Sequence, residues 1–276
     1  MPVTTLVHIS DLHFGRDAQL DQIEALEALV PELRPSAVVV TGDLTQRARH
    51  GELQRALAFT QTMRKAGPAL VIPGNHDVEW WKSPFGILGR EVGYRKYRRY
   101  FGNDLTPTLE VPGAVVASAL TSHGVAFGSM TWNLNDMAVK GHLPAAEAQR
   151  VARVFAAAPG TSARILAMHH NVLRGAISRR MGLARWREAQ TLLLTTGADL
   201  ILCGHDHQEG CGQLENVIAV GTAGTHTDRC RGQRPSAFNW ITIDETSLSI
   251  HHHRWDGAAK RFLPADESRY SRVKRA

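Results

Sequence analysis

The sequence predicts an α/β fold with parallel strands, and three features of its first third support this class. Short apolar runs rich in β-branched residues, suited to buried strands, occupy residues 3–9, 37–41 and 69–72. Stretches of helical length separate these runs, and in the first stretch apolar residues recur at helical spacing from Ile23 to Val30. A polar cluster follows each run. Strand, polar turn and helix in alternation are typical of βαβ units in a parallel sheet.

The rest of the chain continues this pattern less regularly. Further strands are predicted at residues 115–119, 124–131, 163–168 and 199–203, helices at 144–157 and 184–195, and an antiparallel run of strands at 217–220, 238–243 and 248–253. Residues 78–104 interrupt the pattern with tryptophans, glycines and a basic aromatic segment, so we interpret them as a cap-like insertion. We therefore expect one domain over residues 1–255, followed by a polar, basic and poorly packed tail at residues 256–276.

The composition excludes several classes of protein. The chain has 276 residues, 43% of them hydrophobic, which is enough apolar material to bury a core and argues against disorder. Its three cysteines are too few for a disulfide scaffold and favour a reducing compartment, so we expect a cytoplasmic protein. Its apolar runs are too short to cross a membrane, so we expect no membrane span. The formal net charge of +6 favours anionic partners such as phosphates. The 14 histidines favour metal binding or proton transfer.

Five predicted strands end in side chains that bind metals or move protons. The clusters contain Asp11 and His13, then Asp43, then Asn75, His76 and Asp77, then His169 and His170, and finally His205 and His207. Because ligands bind at the carboxyl ends of the strands in open α/β sheets, the five clusters should converge on one crevice. Carboxylates, imidazoles and an amide oxygen suit two divalent ions of borderline hardness, roughly 3.5–4 Å apart with a bridging carboxylate.

This series of motifs resembles that of the calcineurin-like metallophosphoesterases. The matching elements are Asp11-Leu12-His13, Gly42-Asp43, Gly74-Asn75-His76-Asp77, His169, and Gly204-His205-Asp206-His207, and the resemblance covers roughly residues 3–255. It implies a four-layer αββα sandwich, in which two sheets pack face to face with helices outside. Within the superfamily, the size and layout of the chain are most similar to the bacterial class III cyclic-nucleotide and glycerophosphodiester phosphodiesterases.

The resemblance also implies a role for each site residue. Seven of them would be metal ligands: Asp11, His13 and His207 for one ion, Asn75, His169 and His205 for the other, and Asp43 as the bridge. His76 would act on the substrate as an acid, and Asp77 would orient the His76 imidazole. Mn²⁺ or Fe is the expected metal, with Zn²⁺ or Co²⁺ as alternatives. His170 is an alternative ligand to His169, because the usual His-Pro-Pro continuation of the family is absent here.

These roles imply a dimetal-dependent phosphohydrolase in which a metal-bridging hydroxide attacks phosphorus in line. A phosphodiester is favoured over a monoester, and a nucleotide-like small molecule over nucleic acid. Two alternatives stay open, namely a DNA-repair-type nuclease of the same superfamily and a non-catalytic binding module with the same fold. Val78 and Glu79 follow Gly-Asn-His-Asp, where cyclic-nucleotide enzymes of the family often carry an arginine. A basic substrate contact would then come from the insertion, where the candidates are Arg95, Lys96, Arg98 and Arg99.

Overall fold

In the computed structural model, which describes residues 3–129, 136 and 139–272, two six-stranded sheets pack face to face. The strands of the first sheet are β1 (Thr4–Ile9), β2 (Ala37–Val40), β3 (Ala69–Val71), β10 (Ala237–Ile243), β11 (Ser247–Asp256) and β12 (Arg261–Ser271). The strands of the second sheet are β4 (Thr108–Val111), β5 (Ala114–Ser118), β6 (Ala163–Ala167), β7 (Leu200–Cys203), β8 (Gly210–Leu214) and β9 (Ile218–Thr222). The α-helices are α1 (Leu20–Leu33), α2 (His50–Ala66), α3 (Arg95–Phe101), α4 (Ala145–Ala157) and α5 (Trp186–Leu194). None of these helices is long and apolar enough to cross a membrane.

Both sheets mix parallel and antiparallel pairs. The order in the first sheet is β12-β11-β10-β1-β2-β3, with β1, β2 and β3 parallel to one another and β10, β11 and β12 joined antiparallel. The order in the second sheet is β4-β5-β6-β7-β9-β8, with a parallel centre and antiparallel pairs at both edges. The parallel strands of each sheet therefore end at a common edge, where ligand sites of α/β proteins form.

Alternating side chains divide the apolar residues of this sandwich into three buried clusters. In β1, Leu6 points between the two sheets, while Val7 and Ile9 point toward α1 and α2. On the opposite side, Val151 of α4 and Leu193 of α5 pack against the outer face of the second sheet. Because each sheet buries one face against the other sheet and one face against helices, the layers follow the order αββα. The predicted four-layer fold is confirmed.

The expectation of a poorly packed tail at residues 256–276 is wrong for residues 261–271, and residues 273–276 lie outside the described residues. β12 pairs with β11 from Arg261 to Ser271 with one irregularity in register, and Phe262 is buried in the core beneath α1 and α2. Most other β12 side chains are exposed, so main-chain hydrogen bonds rather than apolar burial hold this edge strand in place. A strand that buries so few side chains lacks the hydrophobic alternation by which strands are predicted.

One other strand prediction is wrong, and two strands were not predicted. The strand predicted at residues 124–131 is absent over residues 124–129, which include a short 3-10 turn at Phe127–Ser129, and residues 130 and 131 lie outside the described residues. β4 and β8 were not predicted. Both lie at an edge of the second sheet and bury little of their side-chain surface, which leaves a weak apolar pattern.

The segment 78–104, called the insertion below, contains short 3-10 turns followed by α3. The turns span Trp80–Lys82, Pro84–Gly86 and Arg90–Tyr94. Tyr94 and Tyr97 are buried in the core shared with α1 and α2. The insertion is thereby fixed to the first sheet's helical layer.

Candidate metal centre

Five loops bring all nine predicted site residues to the place where the strand ends of both sheets meet. The loops after β1, β2 and β3 carry Asp11, His13, Asp43, Asn75, His76 and Asp77, and those after β6 and β7 carry His169, His205 and His207. Among the described residues, a cavity of about 170 Å³ is lined by Asp43, Asn75, His76, His205 and His207. Its other charged lining residues are Lys140, Arg180 and Arg231 together with Asp136 and Asp206. We call it the inner cavity.

One group of donor atoms gathers around Asp11. Its Oδ1 atom lies 3.4 Å from Nε2 of His207 and 3.6 Å from Nε2 of His13, and these two nitrogens are 3.0 Å apart. Oδ1 of Asp11 is buried and has no hydrogen-bond partner among the described residues. A buried carboxylate oxygen without a partner is costly unless a cation satisfies it, so this group fits one divalent ion.

A second group gathers around Asn75. Its Oδ1 atom lies 3.1 Å from Nε2 of His169 and 3.0 Å from Nδ1 of His205. Asp43 stands between the two groups, because its Oδ2 atom is 3.3 Å from Nε2 of His169 and 3.6 Å from Nε2 of His13. One carboxylate within reach of both groups is the arrangement that a dinuclear centre needs. The residues therefore form two His/Asp clusters consistent with a dimetal centre.

The adjacent residues His169 and His170 differ in which ring nitrogens are available. Nδ1 of His169 donates to the carbonyl oxygen of Thr41 at 2.7 Å, which leaves Nε2 directed at the cluster. Nε2 of His170 donates to the carbonyl oxygen of Val139 at 3.0 Å, and Nδ1 of His170 lies 2.8 Å from the Thr121 hydroxyl. His170 is near enough to the second group to be a ligand by distance alone. Nε2 of His169 faces Asn75 and Asp43, whereas both nitrogens of His170 face partners outside the two donor groups, so the geometry favours His169.

The backbone at the centre is unusual. Asp11, His13, Asp43, His205 and His207 all have positive φ angles, between 44° and 70°. Such conformations are uncommon for residues with a side chain and cost of order 1–3 kcal/mol each, and they concentrate at functional sites. The sequence contains no direct signal for them, although Asp and His tolerate this region better than most residues.

Two glycines let the loops approach one another closely. A Cβ atom at Gly74 would lie 2.1 Å from Oδ1 of Asp43, and one at Gly204 would lie 1.9 Å from Oγ of Ser10. Any side chain at either position would push apart the loops that carry Asn75 and His205. The glycines of the Gly-Asn-His-Asp and Gly-His-Asp-His motifs are therefore required by the packing of the centre.

His76 lies at the rim of the centre rather than within it. Its backbone N–H donates to Oδ1 of Asp43 at 2.8 Å, and its Nδ1 donates to the carbonyl oxygen of Gln46, also at 2.8 Å. The second contact orients the ring. Like the Thr41 carbonyl that orients His169, it comes from the main chain, so no residue type in the sequence could reveal it.

The prediction that Asp77 orients the His76 imidazole is wrong. The buried Asp77 carboxylate accepts hydrogen bonds from the backbone N–H groups of Leu44, Thr45 and Gly74, and from the Thr45 hydroxyl, at 2.8–3.0 Å. Asp77 therefore ties the loop after β2 to the loop after β3, and so fixes Asp43 relative to Asn75. It is a positioning residue for the metal centre.

The charges at the centre prepare it to bind cations. Burial alone would raise the pKa of Asp11, but the His13 and His207 imidazoles close to its carboxylate hold that pKa well below its usual value. Burial lowers the pKa of His205 to about 3. Although burial also lowers the pKa of His169, the Asp43 carboxylate raises it to about 9. Asp11 is thus anionic and His205 neutral at neutral pH, as metal ligands must be, and His169 would release its proton on binding metal.

Comparisons with known proteins agree with this geometry. Residues 4–209 match the family model of the calcineurin-like phosphoesterases. A dimetal phosphatase from Danio rerio has a similar structure, with a TM-score of 0.68, 14% identity and coverage of 99% of this chain and 100% of that one. The purple acid phosphatase PPD1 from yellow lupin (Lupinus luteus) seeds gives a TM-score of 0.64 at 12% identity, over 98% of this chain and 54% of that one.

A sequence relative is known as well. A Danio rerio protein described as a transmembrane protein with metallophosphoesterase domain is 28% identical over 109 residues. The match spans 37% of this chain and 24% of the length of that relative. The two structural likenesses establish the fold, and the family model covers most of the chain together with all the strand-end motifs up to His207. The chain belongs to the calcineurin-like phosphoesterase family.

Proposed function

We propose that the protein is a metal-dependent phosphodiesterase that acts on a small, nucleotide-like diester. The observation that carries this proposal is the position of His76 between two cavities. The inner cavity lies on one side, and a larger groove of about 760 Å³ lies on the other, with Asn75, His76 and Val139 lining both. We call the larger one the outer groove. A phosphodiester carries a group on each side of phosphorus, so a phosphate held at the metal centre could extend one group into each cavity.

The residues of the chain divide the reaction between them. When bound, the two metal ions would supply positive charge to the phosphoryl oxygens and activate a water molecule. The Gln46 carbonyl keeps a proton on Nδ1 of His76, so Nε2 can carry a second proton when the ring is an imidazolium. That Nε2–H can donate to a phosphoryl oxygen or to the leaving alkoxide. Asp77 contributes indirectly by holding the loops that carry Asp43 and His76.

The outer groove suits a substrate arm that combines an aromatic ring with negative charge. Trp81 lines the groove and exposes half of its surface, so its ring face is available for stacking. Three cations of the groove are paired: Arg49 with Glu52, Lys96 with Glu79 and Arg229 with Asp17. Arg47 also lines the groove but makes no ion pair with any described residue. It is the cation that a second anionic group on the substrate would meet first.

The insertion contributes one of its four predicted basic contacts to this groove. Lys96 lines the groove, while Arg98 pairs with Glu91, and Arg95 and Arg99 line a different cavity. Glu79, in the region where an arginine is often found in cyclic-nucleotide enzymes, is a nearly buried carboxylate held by Lys82 and Lys96. This arrangement favours an open-chain diester over a cyclic nucleotide. Similarity to class III enzymes, the use of Mn²⁺ or Fe, and a cytoplasmic location stay predictions.

A substrate comparison tests the proposal. Protein loaded with Mn²⁺ is assayed with bis(p-nitrophenyl) phosphate, p-nitrophenyl phosphate, cyclic nucleotides, nucleotide-sugar pyrophosphates and single-stranded DNA. We expect the highest kcat/KM for an open-chain diester or pyrophosphate. A higher value for the monoester would overturn the diester assignment, and preferential cleavage of DNA would favour the nuclease. Absence of hydrolysis in every arm, with metal bound, would favour a binding module.

A further inference from the structure

The insertion exposes an unusual group of large apolar side chains. Ile87 and Leu88 are 75% and 71% exposed, and Trp81 and Phe85 are 50% and 37% exposed. Four of the nine large hydrophobic side chains that are exposed among the described residues thus fall within eight positions of the chain. Scattered exposed apolar residues need no explanation, but a concentrated group marks an interaction surface.

The turns of the insertion hold these side chains outward. Ser83 is buried, and its hydroxyl accepts a hydrogen bond from the backbone N–H of Leu88 at 3.1 Å. The backbone N–H of Ile87 donates to the carbonyl oxygen of Pro84 at 3.2 Å, and that of Gly89 to Gly86 at 2.9 Å. Because successive tight turns fix the backbone, Ile87 and Leu88 are presented to solvent by a formed structure rather than by a segment without internal hydrogen bonds.

Residues of the same insertion line a basic cavity. It has a volume of about 220 Å³, and its charged lining residues are Lys82, Arg95, Lys96, Arg99 and Glu79. The Glu79 carboxylate is paired with both lysines, at 3.0 Å from Nζ of Lys82 and 2.8 Å from Nζ of Lys96. Arg95 and Arg99 make no ion pair with described residues and are exposed. The cavity therefore has a surplus of three positive charges and two guanidinium groups available to an anion.

We propose that residues 81–99 form a docking surface for an anionic phospholipid bilayer. Ile87, Leu88 and the Trp81 indole would enter the interfacial region, where tryptophan is favoured, and Arg95 and Arg99 would bind headgroup phosphates. Lys82 lies between Trp81 and Ser83 in the chain and also lines the basic cavity, so the apolar and cationic parts adjoin. Charge complementarity selects the bilayer as the occupant, because a lipid surface offers a dense array of phosphates beside an apolar interior.

Docking in this way would place the outer groove at the lipid surface. Trp81 belongs to the outer groove as well as to the docking surface, and Glu79 and Lys96 line both the groove and the basic cavity. The inference does not depend on the reaction proposed above, since lipid binding is measured without substrate. It predicts only that the mouth of the groove faces the bilayer.

Vesicle sedimentation tests the docking surface. Wild-type protein is mixed with vesicles of phosphatidylcholine alone or of phosphatidylcholine with phosphatidylglycerol, and the bound fraction is measured at low and physiological salt. We expect binding to the anionic vesicles that weakens with salt, and little binding to the neutral ones. The Arg95→Gln/Arg99→Gln variant should bind roughly 30-fold more weakly. The Ile87→Ser/Leu88→Ser variant should bind about tenfold more weakly or worse.

Matched controls distinguish binding through the docking surface from nonspecific effects of net charge and exposed apolar surface. Arg153→Gln/Arg261→Gln removes the same charge from α4 and β12, and Val217→Ser removes an exposed apolar side chain between β8 and β9. Both controls should bind like wild type. The two double variants of the insertion and both controls should keep the hydrolysis rate of a soluble ester, which shows that they are folded. Absence of binding to anionic vesicles would overturn the proposal.

Two further outcomes would also overturn the proposal. One is binding that the insertion variants leave unchanged, which would place the lipid contact elsewhere. The other is a dimer in solution that Ile87→Ser/Leu88→Ser converts to a monomer, which would mean that a second copy of the chain covers the surface. If the proposal holds, brominated lipids should quench the tryptophan fluorescence of the wild-type protein more than that of the Trp81→Phe variant.

Discussion

The inner cavity and the outer groove meet at His76 but are built differently. The inner cavity is lined at the strand ends of both sheets by the buried Asp43 and Asn75 and the half-buried His205 and His207, and three of these four residues have left-handed backbone conformations. The outer groove is lined by exposed side chains from the loop after β2 and from the turns of the insertion, such as Arg47 and Trp81. The inner residues are fixed by the packing of the two sheets, whereas the outer ones can change without disturbing the fold. Under the proposed function, chemistry and specificity are separated within one crevice, and substitutions on each side should have different effects.

Replacing the shared carboxylate should have the largest effect. Asp43→Asn removes the negative charge that lies between the two donor groups, so we expect loss of bound metal together with a more than roughly 100-fold loss of turnover. Metal content by mass spectrometry and hydrolysis of bis(p-nitrophenyl) phosphate are measured on the same preparation. Asp21→Asn, an exposed change on α1, should leave both quantities unchanged. An active Asp43→Asn protein with full metal content would contradict the bridging role.

Removal of the His76 imidazole, which lies between the inner cavity and the outer groove, should separate metal binding from turnover. His76→Ala leaves all seven predicted ligands in place but removes the proton donor, so kcat should fall by about 10²–10⁴ while metal content is kept. A variant that loses metal along with turnover would make His76 part of the metal site instead.

The adjacent histidines His169 and His170 after β6 provide a matched pair. His169→Ala removes a nitrogen directed at Asn75 and Asp43, so affinity for one of the two ions should fall by at least about 10–100-fold. His170→Ala removes hydrogen bonds to Thr121 and Val139, so it should lower the free energy of unfolding by about 1–3 kcal/mol and keep metal stoichiometry. Calorimetric metal titration and chemical denaturation measure the two quantities. The reverse pattern would assign the ligand to His170.

The smallest effect is expected in the outer groove. Arg47→Ala should raise KM several-fold, up to about tenfold, for a diester with a second anionic group, while kcat stays the same and p-nitrophenyl phosphate is unaffected. This outcome is typical of a contact made equally in the ground and transition states. Arg55→Ala, an exposed change on α2, serves as the control. Equal KM values for Arg47→Ala and wild type would remove Arg47 from the substrate site.

The sequence predicted the inner cavity far better than the outer groove, for a physical reason. Asp11, Asp43 and Asn75 follow buried parallel strands, and such strands have a strong apolar pattern and end at one edge of a sheet. The position of a side chain after a strand therefore fixes its place in space. No such regularity governs Trp81 or Arg47, which lie on turns whose course is set by local hydrogen bonds and packing.

Other features escaped prediction because main-chain atoms produce them. The carbonyl groups of Thr41 and Gln46 orient His169 and His76, and a carbonyl has no residue signature. Asp77 was predicted to contact the ring beside it in the chain, but its carboxylate turns toward three backbone N–H groups of neighbouring loops. Buried N–H groups without secondary-structure partners can be counted only once the path of the chain is known. β12 was missed for a related reason, since it is held by its backbone.

A metal titration of the intact chain measures the dinuclear centre most directly. Protein stripped of metal with a chelator is titrated with Mn²⁺, and bound metal and hydrolysis of a diester are followed together. We predict two ions per chain, with hydrolysis appearing as the second site fills and disappearing again when the chelator is restored. Saturation at one ion per chain, or hydrolysis that persists in the stripped protein, would contradict the dimetal centre.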